Sequence, residues 1–261
     1  MRKPFTLTFP GGAVASRIRV GHPSELPVAL QKIGLDRQCP SLVLVGGAQG
    51  LTIDDMARLR SLFIEVLAPM AERLDLYVVD GGTNAGIMSL IGEAHAASNS
   101  TFSLIGVAAT GTVALPMQAV SPADAELLAL LEPHHTHFVL VPGSSWGDEA
   151  LWLAQVASTL SGTLPSLTVL MNGGEITWLD ARCSVQAARP VLVLDGTGRT
   201  ADALAAGVRG EQTDRRAYDL VATGLVHIVN IEDGPLALAG AIEKYFVSKA
   251  EGEKNGAEKL V

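Results

Sequence analysis

The sequence predicts an α/β fold: a Rossmann-like, doubly wound, mostly parallel sheet with helices on both faces. Three observations predict it. Short runs rich in Val, Leu and Ile alternate along the chain with helix-period segments. The runs are continuously apolar rather than alternating, as strands covered on both faces are. Glycines stand directly after the runs, where a parallel sheet hands over to the next helix.

Taken in order, Phe5–Phe9 and Arg17–Val20 flank Gly11-Gly12 and read as a hairpin. The strands that follow are Leu42–Val45, Leu76–Val79, Ser103–Ala108, Phe138–Val141, Leu167–Met171, Val191–Leu194 and Val226–Val229. The clearest helix runs from about Ile53 to about Arg73. Ile53, Met56, Leu59, Phe63, Val66, Leu67 and Met70 share one face of it, and Asp54, Arg58 and Glu65 fall elsewhere. Thr52 suits its N-cap, with Asp55 at the third helical position, and Pro69 is expected to bend or end its last turn. Residues 1–247 are expected to form one domain, with a hairpin-like extension over 1–23. Residues 248–261, rich in Lys, Glu and Gly, are expected to be a disordered tail.

Composition narrows the function. With 261 residues, 48% hydrophobic and 18% charged, the chain can bury a large core, so disorder is excluded for its bulk. Nineteen Lys and Arg against 27 Asp and Glu give a net charge of −8. No basic stripe is visible, which argues against nucleic acid as a partner. Cys39 and Cys183 have no CxxC spacing, so a disulfide scaffold and a Cys-rich zinc site are excluded. Met1–Pro10 has no signal-peptide core. Thr101–Ala123 is uncharged, but Gly106, Gly111 and Pro116 punctuate it, so it reads as a buried strand and loop rather than a membrane span. A cytoplasmic protein is expected, with a homo-oligomer as a weaker expectation.

The candidate chemistry sits in the glycine loops. Gly46-Gly47-Ala48, Gly81-Gly82, Gly143, Gly173-Gly174, and Gly196 with Gly198 each follow a strand. In a parallel sheet these positions share the C-terminal edge, where ligands bind in open α/β folds. Helix N-termini there present free N–H groups to an anion. Packing alone also favours glycine in such turns.

Asp80-Gly81-Gly82-Thr83-Asn84-Ala85-Gly86-Ile87-Met88 resembles a phosphate loop, with Thr83 or Asn84 as a possible helix cap. It lacks both the GKS/T ending and the GxGxxG fingerprint, which removes support for a mononucleotide kinase and for an ordinary NAD dehydrogenase. In Pro142-Gly143-Ser144-Ser145-Trp146-Gly147-Asp148-Glu149, the serines could donate to phosphate or ribose and Trp146 could stack on a base. Asp148 or Glu149 could serve as a general acid or base, or simply complement a helix dipole. In the third stretch, Gly196-Thr197-Gly198-Arg199, the arginine suits a bidentate phosphate contact or a salt bridge with Asp195 or Asp202. Asn172 with Gly173 and Gly174 would complete the crevice wall. His134, His135 and His137 fit no standard zinc spacing and read as a polar turn before a strand, so no metal site is expected. No GxSxG elbow is present.

At these same loops the chain resembles a known group. Val45-Gly46-Gly47-Ala48, Gly81–Met88, Leu104–Ala108, His137–Val141 and Val193–Asp202 are similar, in the same order, to the N-terminal cytosolic domain of TRPM cation channels. That domain belongs to the SLOG superfamily, also called LSDAT. The resemblance implies a Rossmann-like fold that binds nucleotides or their derivatives, with ADP-ribose or a related NAD metabolite as the leading ligand and no further cofactor. The superfamily also contains the LOG, or lysine decarboxylase-like, phosphoribohydrolases. Their PGGxGTxxE motif is only partly matched by Pro142–Glu149, where Ser144 replaces the second glycine, and the Arg-Lys helix preceding it has no counterpart before His137. Binding is therefore the expectation. Nucleotide N-glycosidase or phosphoribohydrolase activity through Glu149 or Asp148 is the alternative. The transmembrane part of a channel has no counterpart in the sequence, so the chain is not expected to be a channel itself.

Overall fold

A computed structural model describes residues 3–47, 52–117 and 127–258. Eleven strands and nine helices are used below. The hairpin is β1 (Phe5–Thr8) and β2 (Val14–Arg19), antiparallel, with Phe5 opposite Arg17 and positive φ at Gly11 and Gly12 in the turn. Then come α1 (Leu26–Lys32), β3 (Ser41–Gly46), α2 (Ile53–Leu62), α3 (Ala68–Arg73), β4 (Tyr77–Asp80), α4 (Gly86–Ala97) and β5 (Leu104–Ala109). The short β6 (Val113–Ala114) and β7 (Ala129–Leu130) pair with each other and precede β8 (His137–Val141). The C-terminal half is α5 (Ala150–Ser161), β9 (Ser166–Met171), α6 (Glu175–Gln186), β10 (Val191–Asp195), α7 (Arg199–Val208), α8 (Arg215–Val221), β11 (Val226–Asn230) and α9 (Pro235–Glu258).

The main sheet has nine strands in the order β1-β2-β8-β5-β4-β3-β9-β10-β11. Every neighbouring pair in it except β1/β2 is parallel. The architecture is thus α/β with a mostly parallel sheet, and the hairpin joins its edge through β2 against β8. After β3 the chain moves outward through β4, β5 and β8, then returns to the other side of β3 at β9. That reversal is a topological switch point between β3 and β9.

The continuous apolar runs are explained by two cores, one on each face. Val43, Val45, Val191 and Val193 pack with residues of α1, α5, α6, α7 and α8. Leu42, Leu44, Leu192 and Leu194 pack with α2, α3, α4 and α9.

Thr52 caps α2 as the sequence predicts: its Oγ1 accepts from Asp55 N at 3.1 Å, and Asp55 carboxylate accepts in return. Pro69 neither ends the helical run nor breaks it. A π turn over Phe63–Leu67, closed by Ala68 N–H on Phe63 O, joins α2 to α3, which continues to Arg73. The wider turn accommodates a ring that cannot donate and would crowd the carbonyl four residues back. The last helix runs to Glu258, well into the segment expected to be a disordered tail. Ala, Glu and Lys there are good helix formers.

Candidate functional site

A cavity of about 470 Å³ opens at the C-terminal edge of the sheet, over the switch point. This volume falls in the range of small-molecule sites. Of the residues singled out in the sequence, Gly46, Gly47, Gly81, Thr83, Trp146, Glu149, Gly174 and Arg199 line it. The loops after β3, β4, β8, β9 and β10 therefore meet at one mouth. Ala48 lies outside the described residues.

The remaining candidates shape the loops without lining the cavity. Gly46, on the cavity wall itself, is also demanded by packing, since a Cβ there would fall 2.2 Å from Met171 O on β9. Gly82 has φ +66° and lies against Gly106, with its N–H donating to Asp80 Oδ1 at 2.7 Å. Asn84 N–H donates to Leu130 O at 2.8 Å. Neither Thr83 nor Asn84 caps α4. Its N-cap is Ala85, which supplies no side-chain acceptor, because Thr83 is buried at the cavity wall and Asn84 is tied to β7. Gly86 is the first residue of α4, so a helix start without a side-chain cap borders the cavity, with Ala85 and Met88 on its wall.

Two of the glycine loops carry their own anion. Ser144 and Ser145 N–H groups donate to Asp148 Oδ2 at 2.9 and 3.0 Å, and Gly147 N–H donates to Glu149. Gly196 and Gly198 N–H groups donate to Asp202 Oδ1 at 2.9 and 3.0 Å. Asp148 thus closes a turn instead of facing the cavity. The amides of Ser144, Ser145, Gly196 and Gly198 already hold a carboxylate where the sequence suggested phosphate or ribose. Gly143 O accepts from Gly111 N. Asn172 bridges two loops: its Nδ2 donates to Thr197 O at 2.8 Å, and its Oδ1 accepts from Gly173 N at 2.7 Å. Thr197 Oγ1 accepts from Asn172 N and donates to Leu194 O.

Arg199 begins α7 with φ 54° and lies across Gly174, whose Cβ, if present, would fall 2.9 Å from Arg199 Nη2. Any larger residue at 174 would displace the guanidinium from the wall. Asp195 pairs with Arg209 at 2.5 Å.

The sequence reading missed two further acids of the cavity, Asp180 and Glu175, the latter paired with Arg216. Asp180, on α6, lines the cavity with Glu149. Burial and the negative charge of Glu149 push the Asp180 carboxyl up to about 8, and burial also raises Glu149. A signal was present: Asp180 stands four residues after Ile176 and three before Cys183, on a helix face that points inward.

Beneath the Gly81–Thr83 loop lies a buried polar network. His135, with a side chain 0% exposed, places Nε2 2.8 Å from Asp80 Oδ1 and Nδ1 2.7 Å from Glu132 Oε2. His134 Nδ1 lies 2.6 Å from Glu132 Oε1. The histidine stretch is a polar turn before β8, as the sequence predicts, but within it Asp80 and Glu132 draw His135 into the core. Burial opposes its charge, but the two carboxylates prevail and hold its pKa at about 9. Glu132 also fills the space at Gly92 on α4, and its N–H donates to Gly82 O at 3.0 Å. The network thus fixes the loop that carries Gly81 and Thr83.

Comparison with known proteins supplies the context. The family model described as SLOG in TRPM, prokaryote, matches residues 39–239. The chain is 26% identical over 243 residues, 78% of its length, to a transient receptor potential cation channel subfamily M member-like 2 of Nematostella vectensis. It is 27% identical over 210 residues, 67% of its length, to subfamily M member 2 of Rattus norvegicus. It is 25% identical over 234 residues, 76% of its length, to subfamily M member 7 of Homo sapiens. The aligned parts make up 15%, 14% and 12% of those relatives. Among the described residues no helix is long and apolar enough to cross a membrane.

Proposed function

Since the chain belongs to the family SLOG in TRPM, prokaryote, we propose that it binds a nucleotide derivative in the switch-point cavity, with ADP-ribose or a related NAD metabolite as the ligand. The observation that carries this reading is the convergence of the glycine loops, the helix start at Ala85–Gly86 and the Arg199 guanidinium on one cavity of about 470 Å³. Arg199 and the amides at Gly47 and α4 suit the diphosphate. Glu149 and Asp180 suit the hydroxyl and amino donors of ribose and base, and half-exposed Trp146 offers a stacking face. Calorimetry with ADP-ribose, NAD, AMP and ADP tests the reading. Saturable binding of ADP-ribose is expected, and no binding of any of the four would end the proposal.

Asp180 makes the affinity pH-dependent. With its carboxyl at about 8, it is neutral at pH 7 and gains charge as pH rises. An anionic ligand should then bind roughly three- to tenfold more weakly at pH 9 than at pH 7. Asp180→Asn should flatten that profile, and an unchanged profile would remove Asp180 from the site.

The same acid pair favours a second reading, hydrolysis of an N-glycosidic bond, in which one carboxyl protonates the departing base and the other activates water. Release of free base from a nucleotide panel would establish turnover, and binding without base release would exclude it.

A further inference from the structure

At the opposite, N-terminal edge of β9 and β10 lies a buried arginine that meets no acid among the described residues. Arg189 is 2% exposed. Its Nε donates to Ser166 Oγ at 2.6 Å, and its Nη2 donates to Ala154 O at 3.0 Å and to Ser158 Oγ at 2.8 Å. Nη1 is buried and has no hydrogen-bond partner among the described residues. All of its acceptors among the described residues are neutral, and burial pulls its pKa down to about 10.

A buried guanidinium normally meets a carboxylate, because desolvation of a full charge is costly without one. The C-terminal ends of α5 and α6 lie near Arg189, but they offer only fractional charge. Their last carbonyls are also occupied: Ser158 O accepts from Gly162 N, and Cys183 O and Ser184 O accept from Ala187 N. The described residues therefore supply a cation without its counter-charge.

Arg189 borders a cavity of about 310 Å³ that is also lined by Ser158, Ser161, Thr163, Ser166 and Tyr245. We propose that this cavity is a second binding site, for a small oxyanion of the phosphate class, with Arg189 as its counter-charge. An oxyanion in the cavity supplies the negative charge that none of the guanidinium's acceptors among the described residues carries. Ser158 Oγ accepts from Arg189 and keeps its own proton to donate. The site stands apart from the glycine loops by the length of β9, roughly 20 Å, and its existence does not depend on the nucleotide reading.

The test is titration of the full chain with inorganic phosphate at constant ionic strength set by chloride, followed by calorimetry and thermal unfolding. A saturable rise in Tm is expected in the wild type and in Arg199→Ala, and its loss is expected in Arg189→Gln. Thr163→Glu, which sets a carboxylate at the exposed rim of the cavity, should weaken phosphate binding at least tenfold without disturbing the core. The proposal is overturned if phosphate does no more than chloride, or if Arg189→Gln keeps the response. Should Arg189→Gln fail to fold, wild-type phosphate affinity in Thr163→Glu overturns it.

Discussion

His135→Ala is expected to lower the unfolding free energy by about 3–5 kcal/mol, the range for removing one partner from a buried charged network. The imidazole is the group that lies between Asp80 and Glu132. Without it both carboxylates stay buried, and Asp80 Oδ2 already has no partner among the described residues. Urea unfolding at pH 7 measures the loss.

A second arm uses pH. His135 is held at about 9 in the fold against an ordinary value of 6.5. Below 6.5 both folded and unfolded chains are protonated, and the contribution is complete. Between 6.5 and 9 the folded chain binds more protons, so stability falls as pH rises, and the contribution is gone above 9. Asp180, raised to about 8 from 3.8, adds a fall of the same sign up to its own value. The difference between wild type and His135→Ala therefore isolates the histidine. It should shrink from pH 6.5 to 9, and a constant difference would show that His135 is not charged in the fold.

Arg199→Ala is expected to weaken ADP-ribose binding by roughly 1.5–3 kcal/mol, about ten- to hundredfold, as loss of a charge-assisted hydrogen bond does. Stability should change little, because the side chain lies at the cavity wall rather than in either apolar core. Calorimetry on a variant with wild-type Tm gives the comparison. An unchanged Kd would remove Arg199 from the ligand contacts and leave the helix start at Ala85–Gly86 as the anion-holding element. Gly174→Val gives a parallel result by a different route, since its side chain would occupy the place of the guanidinium.

The strands were legible because burial on both faces leaves a local mark. The runs around Val43, Val79, Val107, Val139, Val169, Val193 and Ile228 each fall in an observed strand. The two-residue β6 and β7 were not legible, since a pair of residues carries no period. The proline at 69 was visible, but not the π turn that absorbs it, because the turn depends on how the whole helix lies against the sheet.

By itself the sequence determined that the glycine loops belong to one edge. Each follows a strand, and parallel strands end on the same side. Only the tertiary structure decided the order of the strands, and hence that β3 and β9 adjoin at the crevice. It also decided which amides remain open. Asp148 and Asp202 fold back onto glycine-loop N–H groups, while Glu149 and Asp180, distant in the chain, share one cavity. Apolar period and glycine placement are written residue by residue, whereas the partner of a buried charge is chosen by whatever packing brings beside it.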